Sequence, residues 1–180
     1  MEEVTSDIIK AAVAAYYRYV RQSIIAFEAP VSSRSDERSD ILVISERRLI
    51  EIEVKISVSD FRRDAHKLKH ERMKVSDDRY PVCQFYFAVP EKIANEITYD
   101  CEELYPYAGV IRVKGIDQNS VTFPRRAKVM CTKKMLLRDI AEIVRQQSGT
   151  IARLARDVAI LKGNQTQHSK VVIQSNPFAN

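Results

Sequence analysis

The stretch DILVISERRLIEIEVK, residues 40–55, decides the fold expected of this chain. Its apolar first part and its alternating second part are typical of two β-strands, and the polar residues 45–48 between them form a turn. Successive side chains of a strand point to opposite faces, so Glu51, Glu53 and Lys55 are expected to share one face of the second strand. The sequence therefore predicts a β-hairpin with a charged face and an apolar face.

Pairing of the two strands would bring charged side chains together at one end of the hairpin. Asp40 begins the first strand, and in an antiparallel pair it lies opposite Glu53 and Lys55 at the end of the second. Two carboxylates beside an ammonium group suit a divalent cation used for phosphodiester hydrolysis. The alternative is an ordinary cross-strand ion pair that faces solvent. Glu51 is expected to be an exposed strand residue outside the site.

The composition is typical of a soluble globular protein. The chain has 180 residues, of which 45% are apolar and 29% are charged, and this is enough for one domain with a proper core. No apolar run is as long as a membrane span, and the N-terminus lacks a basic and then apolar signal. The cysteines Cys83, Cys101 and Cys131 form no C-x-x-C pair and are expected to be reduced thiols. These features favour a cytoplasmic protein.

Working outward from the hairpin, the remaining apolar patterns predict alternating helices and strands. Helices are predicted over 6–21, 57–74, 91–97, 133–147 and 151–161, and strands over 23–28, 41–44, 49–55, 84–89, 108–114 and 120–123. This order predicts an α/β (mixed α+β) domain with a central mixed sheet flanked by helices. Beyond residue 162, the polar composition predicts a flexible tail over 163–180.

The net charge of +5 is distributed unevenly along the chain. The predicted helix after the hairpin carries a basic row at helical spacing, and a second basic cluster follows the last strand. These residues, which we interpret as candidate contacts to nucleic-acid phosphates, are Arg63, Lys67, His70, Lys74, Arg125 and Arg126. The alternative is that these runs are simply solvated faces.

Asp40, followed on the next strand by Glu53 and Lys55, resembles the motif of the PD-(D/E)xK nuclease superfamily. Three surrounding segments are similar to the compact bacterial and phage proteins of its MmcB-like branch: EVKISVSDFRRDAHKLKH at 53–70, FYFAVPE at 85–91 and YAGVIRV at 107–113. The resemblance implies a restriction-endonuclease-like core over residues 1–130. Helices over 131–162 would pack on or beside this core, and 163–180 would be the flexible tail.

The resemblance also implies a role for each residue of the motif. Asp40 and Glu53 would bind Mg²⁺ or Mn²⁺, and the backbone carbonyl of Val54 could add a ligand. Lys55 would orient the attacking water or stabilise charge on the phosphate. The superfamily often adds an acid from the first helix, and Asp7 has that place here.

Two positions depart from the pattern of the superfamily. Many relatives have Glu where this chain has Asp7, so Glu2 or Glu3 could serve instead. Ser39 stands where a proline usually precedes the first aspartate, a tolerable change because no chemistry rests on that proline.

The resemblance, together with the charged end of the hairpin, implies a metal-dependent DNA nuclease in bacterial or phage DNA repair, recombination or processing. One alternative is a nucleic-acid-binding protein that keeps the nuclease fold without cleaving. Another is an interaction protein whose basic helices bind a protein partner. DNA is the expected partner, with RNA and a homodimer as open possibilities, and no membrane partner is expected. The form of the DNA substrate stays open.

Overall fold

The computed structural model describes residues 4–31, 38–74 and 81–174. A π-helical segment continues the first helix, and 3-10 turns interrupt the chain before the third helix and before the last strand. The elements follow in this order: α1 Ser6–Ala15, a π-helical segment Tyr16–Val20, β1 Ile24–Pro30, β2 Arg38–Ser45, β3 Arg48–Val54, α2 Val58–Arg63, a 3-10 turn Asp64–His66, α3 Leu68–Lys74, β4 Val82–Pro90, α4 Glu91–Leu104, β5 Gly109–Val113, a 3-10 turn Gln118–Ser120, β6 Val121–Arg125 and α5 Leu137–Gln174.

The strands form a six-stranded sheet in the sequence order β1 to β6. Strands β1, β2 and β3 are antiparallel neighbours, β3, β4 and β5 run parallel, and β6 returns antiparallel to β5. Parallel neighbours need a crossover, which α2 and α3 supply between β3 and β4, and α4 between β4 and β5. The predicted mixed α+β class, with a central mixed sheet flanked by helices, is confirmed. The architecture is consistent with a restriction-endonuclease-like core.

The predicted hairpin is present as β2 and β3, with Ile41 paired to Ile52. Its two central turn residues, Glu46 and Arg47, have φ angles of 50° and 65°. Positive φ at both positions is the conformation of a type I′ turn, whose twist matches that of the strands it joins. The turn therefore fixes the register that brings Asp40 towards the end of β3.

Apolar side chains cover both faces of the sheet. On one face, Ile9 and Val13 of α1 belong to the same buried cluster as Ile52 of β3. On the other face, the ring of Phe61 in α2 packs edge-on against that of Phe87 in β4, with centroids 4.8 Å apart. Full burial of such a side chain contributes about 1.5–3 kcal/mol relative to exposure. The central strands are thus buried on both sides, and this decides the environment of the charged residues on β3.

The helix predicted over 57–74 is broken in the structure. Helix α2 ends at Arg63, a 3-10 turn follows, and Lys67 has extended backbone with φ −76° and ψ 135°. Its predicted basic row therefore does not form one continuous helical face. The break turns Asp64 and His70 inward, where both side chains are buried.

The helices of the C-terminal half are longer than predicted. Helix α4 ends at Leu104 rather than at residue 97, and α5 is continuous from Leu137 to Gln174, through Gly149, where two helices were predicted. The helix also occupies much of the predicted flexible tail, and residues 175–180 lie outside the described part.

The chain divides into two compact units, 1–143 and 144–180. The sequence-based boundaries at residues 130 and 162 stay predictions. Within the described ranges, no helix is long and apolar enough to cross a membrane.

Candidate functional site

The charged residues of β3 share one face, as their alternation predicts, but that face is buried. The exposed fractions of Glu51, Glu53 and Lys55 are 1%, 5% and 5%. The prediction that Glu51 is an exposed residue outside the site is wrong. Helix α3 contributes Lys69 to the same buried cluster of charges, and its exposed fraction is 3%. Buried charges require partners, and each of these side chains has one.

Lys69 joins the two glutamates of β3. Its ammonium group donates to Oε1 of Glu51 at 3.0 Å and to Oε1 of Glu53 at 2.6 Å. The hydroxyl of Ser39 donates to Oε1 of Glu51 at 2.8 Å. Burial lowers the pKa of Lys69, but the two neighbouring carboxylates raise it by more, so the net pKa of the lysine is raised. Sequence reasoning missed Lys69 and Glu51, although alternation already placed Glu51 on the same face as Glu53.

The pKa of Glu53 is raised to about 7 within this cluster. Burial is the largest cause, the charges of Glu51 and Asp40 also raise the pKa, and Lys69 lowers it. The protonated form of Glu53 is therefore more favourable than that of an ordinary glutamate. A further positive charge beside Glu53 would be favourable, because it would stabilise the ionised form.

Lys55 is held by an ion pair with Asp64. Its ammonium group lies 2.7 Å from Oδ1 of Asp64, and 3.9 Å from Oε2 of Glu53. Lys67 approaches the same Oδ1 at 2.6 Å, and its side chain is 46% exposed. Burial works against the charge of Asp64, yet hydrogen bonds from His70, Lys55 and Lys67 hold its pKa well below the usual range. Asp64 is therefore an ionised anchor for the lysine of the motif.

His70 extends this network into the core. Its Nε2 lies 2.7 Å from Oδ2 of Asp64, and its Nδ1 lies 2.6 Å from the hydroxyl of Tyr107. Burial lowers the pKa of His70, which favours the neutral ring. Because an ionised carboxylate only accepts, Nε2 carries the hydrogen, and Nδ1 accepts from Tyr107. The hydrogen bonds thus run in one direction, from Tyr107 through His70 to Asp64, which also accepts from Lys55.

Asp40 lies at the end of β3, as the hairpin predicts. Its Oδ2 accepts a hydrogen bond from the backbone N–H of Val54 at 2.8 Å, and its Oδ1 lies 3.1 Å from the ammonium group of Lys10. Its charge is close enough to raise the pKa of Glu53. Asp7, predicted as a further metal ligand, lies exposed in the first turn of α1.

The oxygen donors suit a hard divalent cation, and the raised pKa of Glu53 favours added positive charge there. Over the described ranges, however, no group of three or more His, Cys, Asp and Glu residues could hold a metal ion. A cation held by Asp40 and Glu53 would thus take its remaining ligands from water and phosphate, as Mg²⁺ commonly does. The binding roles of Asp40, Glu53, the Val54 carbonyl and Asp7 stay predictions.

The basic residues that were predicted to contact nucleic acid differ in their exposure and in their hydrogen-bond partners. His70 is 1% exposed and its ring nitrogens are engaged internally, so it is a core residue rather than a surface contact. Arg125 uses its guanidinium group on the backbone carbonyls of Ala108 and Pro106. Arg63, Lys67, Lys74 and Arg126 retain exposed or half-exposed side chains.

The chain matches no protein-family model and no curated protein sequence. Among solved structures, it is similar to an XisH family protein from Nostoc punctiforme, with a TM-score of 0.45 and 15% sequence identity. The match covers 65% of this chain and 98% of that chain. This match transfers no residue role to the chain, and it gives no support specific to the MmcB-like branch.

Proposed function

We propose that this protein is a metal-dependent phosphodiester hydrolase that acts on DNA. The observation that carries the proposal is the meeting of Glu53 and Lys55 at the end of β3, inside a network that holds the lysine in place. Strained or buried charges that lower stability are typical of functional sites, since they persist only where their chemistry is needed. The buried Glu53, with its raised pKa, is such a group.

Each residue of the proposed site has a separate task. Asp40 and Glu53 would hold Mg²⁺ or Mn²⁺. When bound, such a cation would supply positive charge to the phosphate and acidify a water molecule. Lys55 donates hydrogen bonds to a phosphate oxygen or to the water, while the ion pair with Asp64 orients the lysine.

Lys67 extends the site to the surface. Its ammonium group contacts the buried Asp64, but nearly half of its side chain is exposed. A cation at this position attracts the backbone of a nucleic acid without reading its sequence. We expect Lys67 to guide a DNA phosphate towards Lys55.

The proposal is tested with labelled single-stranded, duplex, flap and junction DNA in the presence of Mg²⁺, Mn²⁺ or a chelator. We expect cleavage with a metal and none with the chelator. Replacing Lys55 with Ala should reduce cleavage about a hundredfold, because an electrostatic contact to the transition state is lost. Binding of DNA should persist.

The matched control is Glu103→Gln, which changes an exposed charge on α4. Circular dichroism and urea unfolding establish that each variant is folded. The proposal is overturned if wild-type protein cleaves none of the DNA forms with either metal, or if folded Lys55→Ala cleaves as fast as wild type.

A second candidate function is DNA binding without cleavage. It is favoured by one observation: Lys69 already supplies a cation to both Glu51 and Glu53. In this case the network is structural, and the metals change neither DNA affinity nor stability. The same DNA panel distinguishes the two functions, because a binding protein shows salt-sensitive affinity and no cleavage.

A further inference from the structure

A cavity of about 300 Å³ lies on the α1 face of the sheet, where Arg48 and Ile50 form the beginning of β3. It is separate from the network around Glu53, which lies towards the other end of the same strand and on the other face. Its volume is at the lower end of the range for small-molecule sites. Nothing in the proposed nuclease mechanism uses this cavity.

Three arginines line the cavity, Arg21, Arg48 and Arg126. Throughout the described part of the chain, none of the three forms an ion pair with a carboxylate, although Glu46 also lines the cavity. Most other arginines that lie near the sheet are engaged. Arg125, for example, donates to two backbone carbonyls. The residues that line the cavity thus carry more positive than negative charge.

The Nε atom of Arg48 is buried and has no hydrogen-bond partner among the described residues. A buried N–H without an acceptor is destabilising, and such groups are rare in folded proteins. Because Arg48 lines the cavity, a shift of its side chain towards an acceptor oxygen bound there would remove this cost. The unpartnered Nε is an observation separate from the excess of arginines around the cavity. Because the donor belongs to a guanidinium group, an anionic acceptor would form the stronger hydrogen bond.

Aromatic rings form the apolar wall of the cavity and limit the freedom of one arginine. Tyr16, Tyr17 and Phe123 pack against one another, with ring centroids 5.3 Å to 6.4 Å apart. The guanidinium carbon of Arg126 lies 4.5 Å from the centroid of the Phe123 ring. A cation held over a ring loses less conformational entropy when it binds an anion, since part of its order is already present.

We propose that this cavity binds a phosphate group, contacted by Arg48 and Arg126 and attracted by Arg21. Planar guanidinium groups match phosphate oxygens in geometry as well as in charge. The phosphate belongs to a nucleotide, either free or within a single strand of nucleic acid. The site does not depend on the proposed hydrolase activity, because none of its residues belongs to the network around Glu53.

The test measures binding of inorganic phosphate, a deoxynucleoside monophosphate and a short single-stranded oligonucleotide to the full chain. Heteronuclear NMR follows the arginine Nε–H resonances, and calorimetry gives the affinity. We expect the Arg48 resonance to move on addition of phosphate. Arg48→Gln and Arg126→Gln should each weaken binding about tenfold or more, as loss of a charge-assisted hydrogen bond predicts.

Arg18→Gln is the matched control, because Arg18 is exposed on the same helical segment as Tyr16 and does not line the cavity. Tighter binding of the monophosphate identifies a free nucleotide as the source, and tighter binding of the oligonucleotide identifies a strand. Both results support the site. It is overturned if none of the three probes moves the Arg48 resonance, or if folded Arg48→Gln and Arg126→Gln bind as wild type does.

Arg48→Gln also has an expected effect without ligand. The variant removes a buried donor that has no acceptor, so its unfolding temperature in phosphate-free buffer should equal or exceed that of wild type. Phosphate should raise the unfolding temperature of wild type and of Arg18→Gln, but not that of Arg48→Gln. An equal rise in all three proteins would overturn the proposal.

Discussion

Replacing Glu53 with Gln should stabilise this protein at alkaline pH and have little effect in acid. Burial raises the pKa of Glu53 from its ordinary 4.5 to about 7, so the folded state favours the protonated carboxyl group more than the unfolded state does. A group of this kind contributes fully to stability below its unfolded pKa. The contribution is lost as the pH rises through the folded pKa. Glutamine mimics the protonated form and keeps that stability at every pH.

The magnitude follows from the two pKa values. A difference between 4.5 and about 7 corresponds to about 3 kcal/mol. Because the Glu53 side chain is 6% exposed, solvent screening reduces this figure little. At pH 8 the variant should therefore be more stable than wild type by up to about 3 kcal/mol, whereas near pH 4 the two should be equal. For a chain of this size, the effect corresponds to an increase in Tm of roughly 6–12 °C.

The assay is urea unfolding at a series of pH values between 4 and 8.5, followed by circular dichroism. Glu103→Gln is the control, because it makes the same substitution at an exposed glutamate of α4. The reasoning is refuted if Glu53→Gln is less stable than wild type at pH 8, or if its effect does not change with pH. Either result would mean that Lys69 fully compensates the charge of Glu53.

Three further outcomes are expected. Asp64→Asn should destabilise the protein by about 3–5 kcal/mol in urea unfolding, because the buried ammonium group of Lys55 loses its carboxylate; a loss below 1 kcal/mol would contradict the ion-pair network. Tyr107→Phe should cost about 1 kcal/mol and shift the Nδ1 resonance of His70 in NMR, whereas an unchanged resonance would refute the hydrogen bond between the two side chains. The sulfur atoms of Cys83 and Cys131 lie 2.7 Å apart, so hydrogen peroxide should oxidise the two thiols to a disulfide, with loss of two protons and two electrons. Mass spectrometry after digestion should detect the crosslinked peptide in wild type and not in the control Cys83→Ser. Absence of that peptide from oxidised wild type would contradict the prediction.

Local sequence patterns correctly predicted much of the fold. The alternation over 49–55 correctly placed Glu51, Glu53 and Lys55 on one face, because the geometry of a strand fixes side-chain direction whatever surrounds it. The turn and the register of the hairpin followed from the same stretch, and so did the position of Asp40 near the end of β3. The order of helices and strands gave the mixed α+β class.

Contacts between distant segments decided what local patterns could not. Periodicity predicted one helix over 57–74 with a basic face, but the chain breaks after Arg63 and turns His70 into the core. This arrangement is stabilised by the hydroxyl of Tyr107, which donates to Nδ1 of His70 and lies 37 residues away in sequence. Similarly, Gly149 is a local signal for a helix end, yet α5 continues through it.

The sequence by itself thus determined which side chains of β3 share a face, since this depends only on the backbone of one strand. Only the tertiary structure decided that the face is buried and that Lys69 lies between Glu51 and Glu53. The physical reason is that burial depends on which helix covers the sheet. The pKa of Glu53, and with it the chemistry available at the site, is set by that covering helix rather than by the strand.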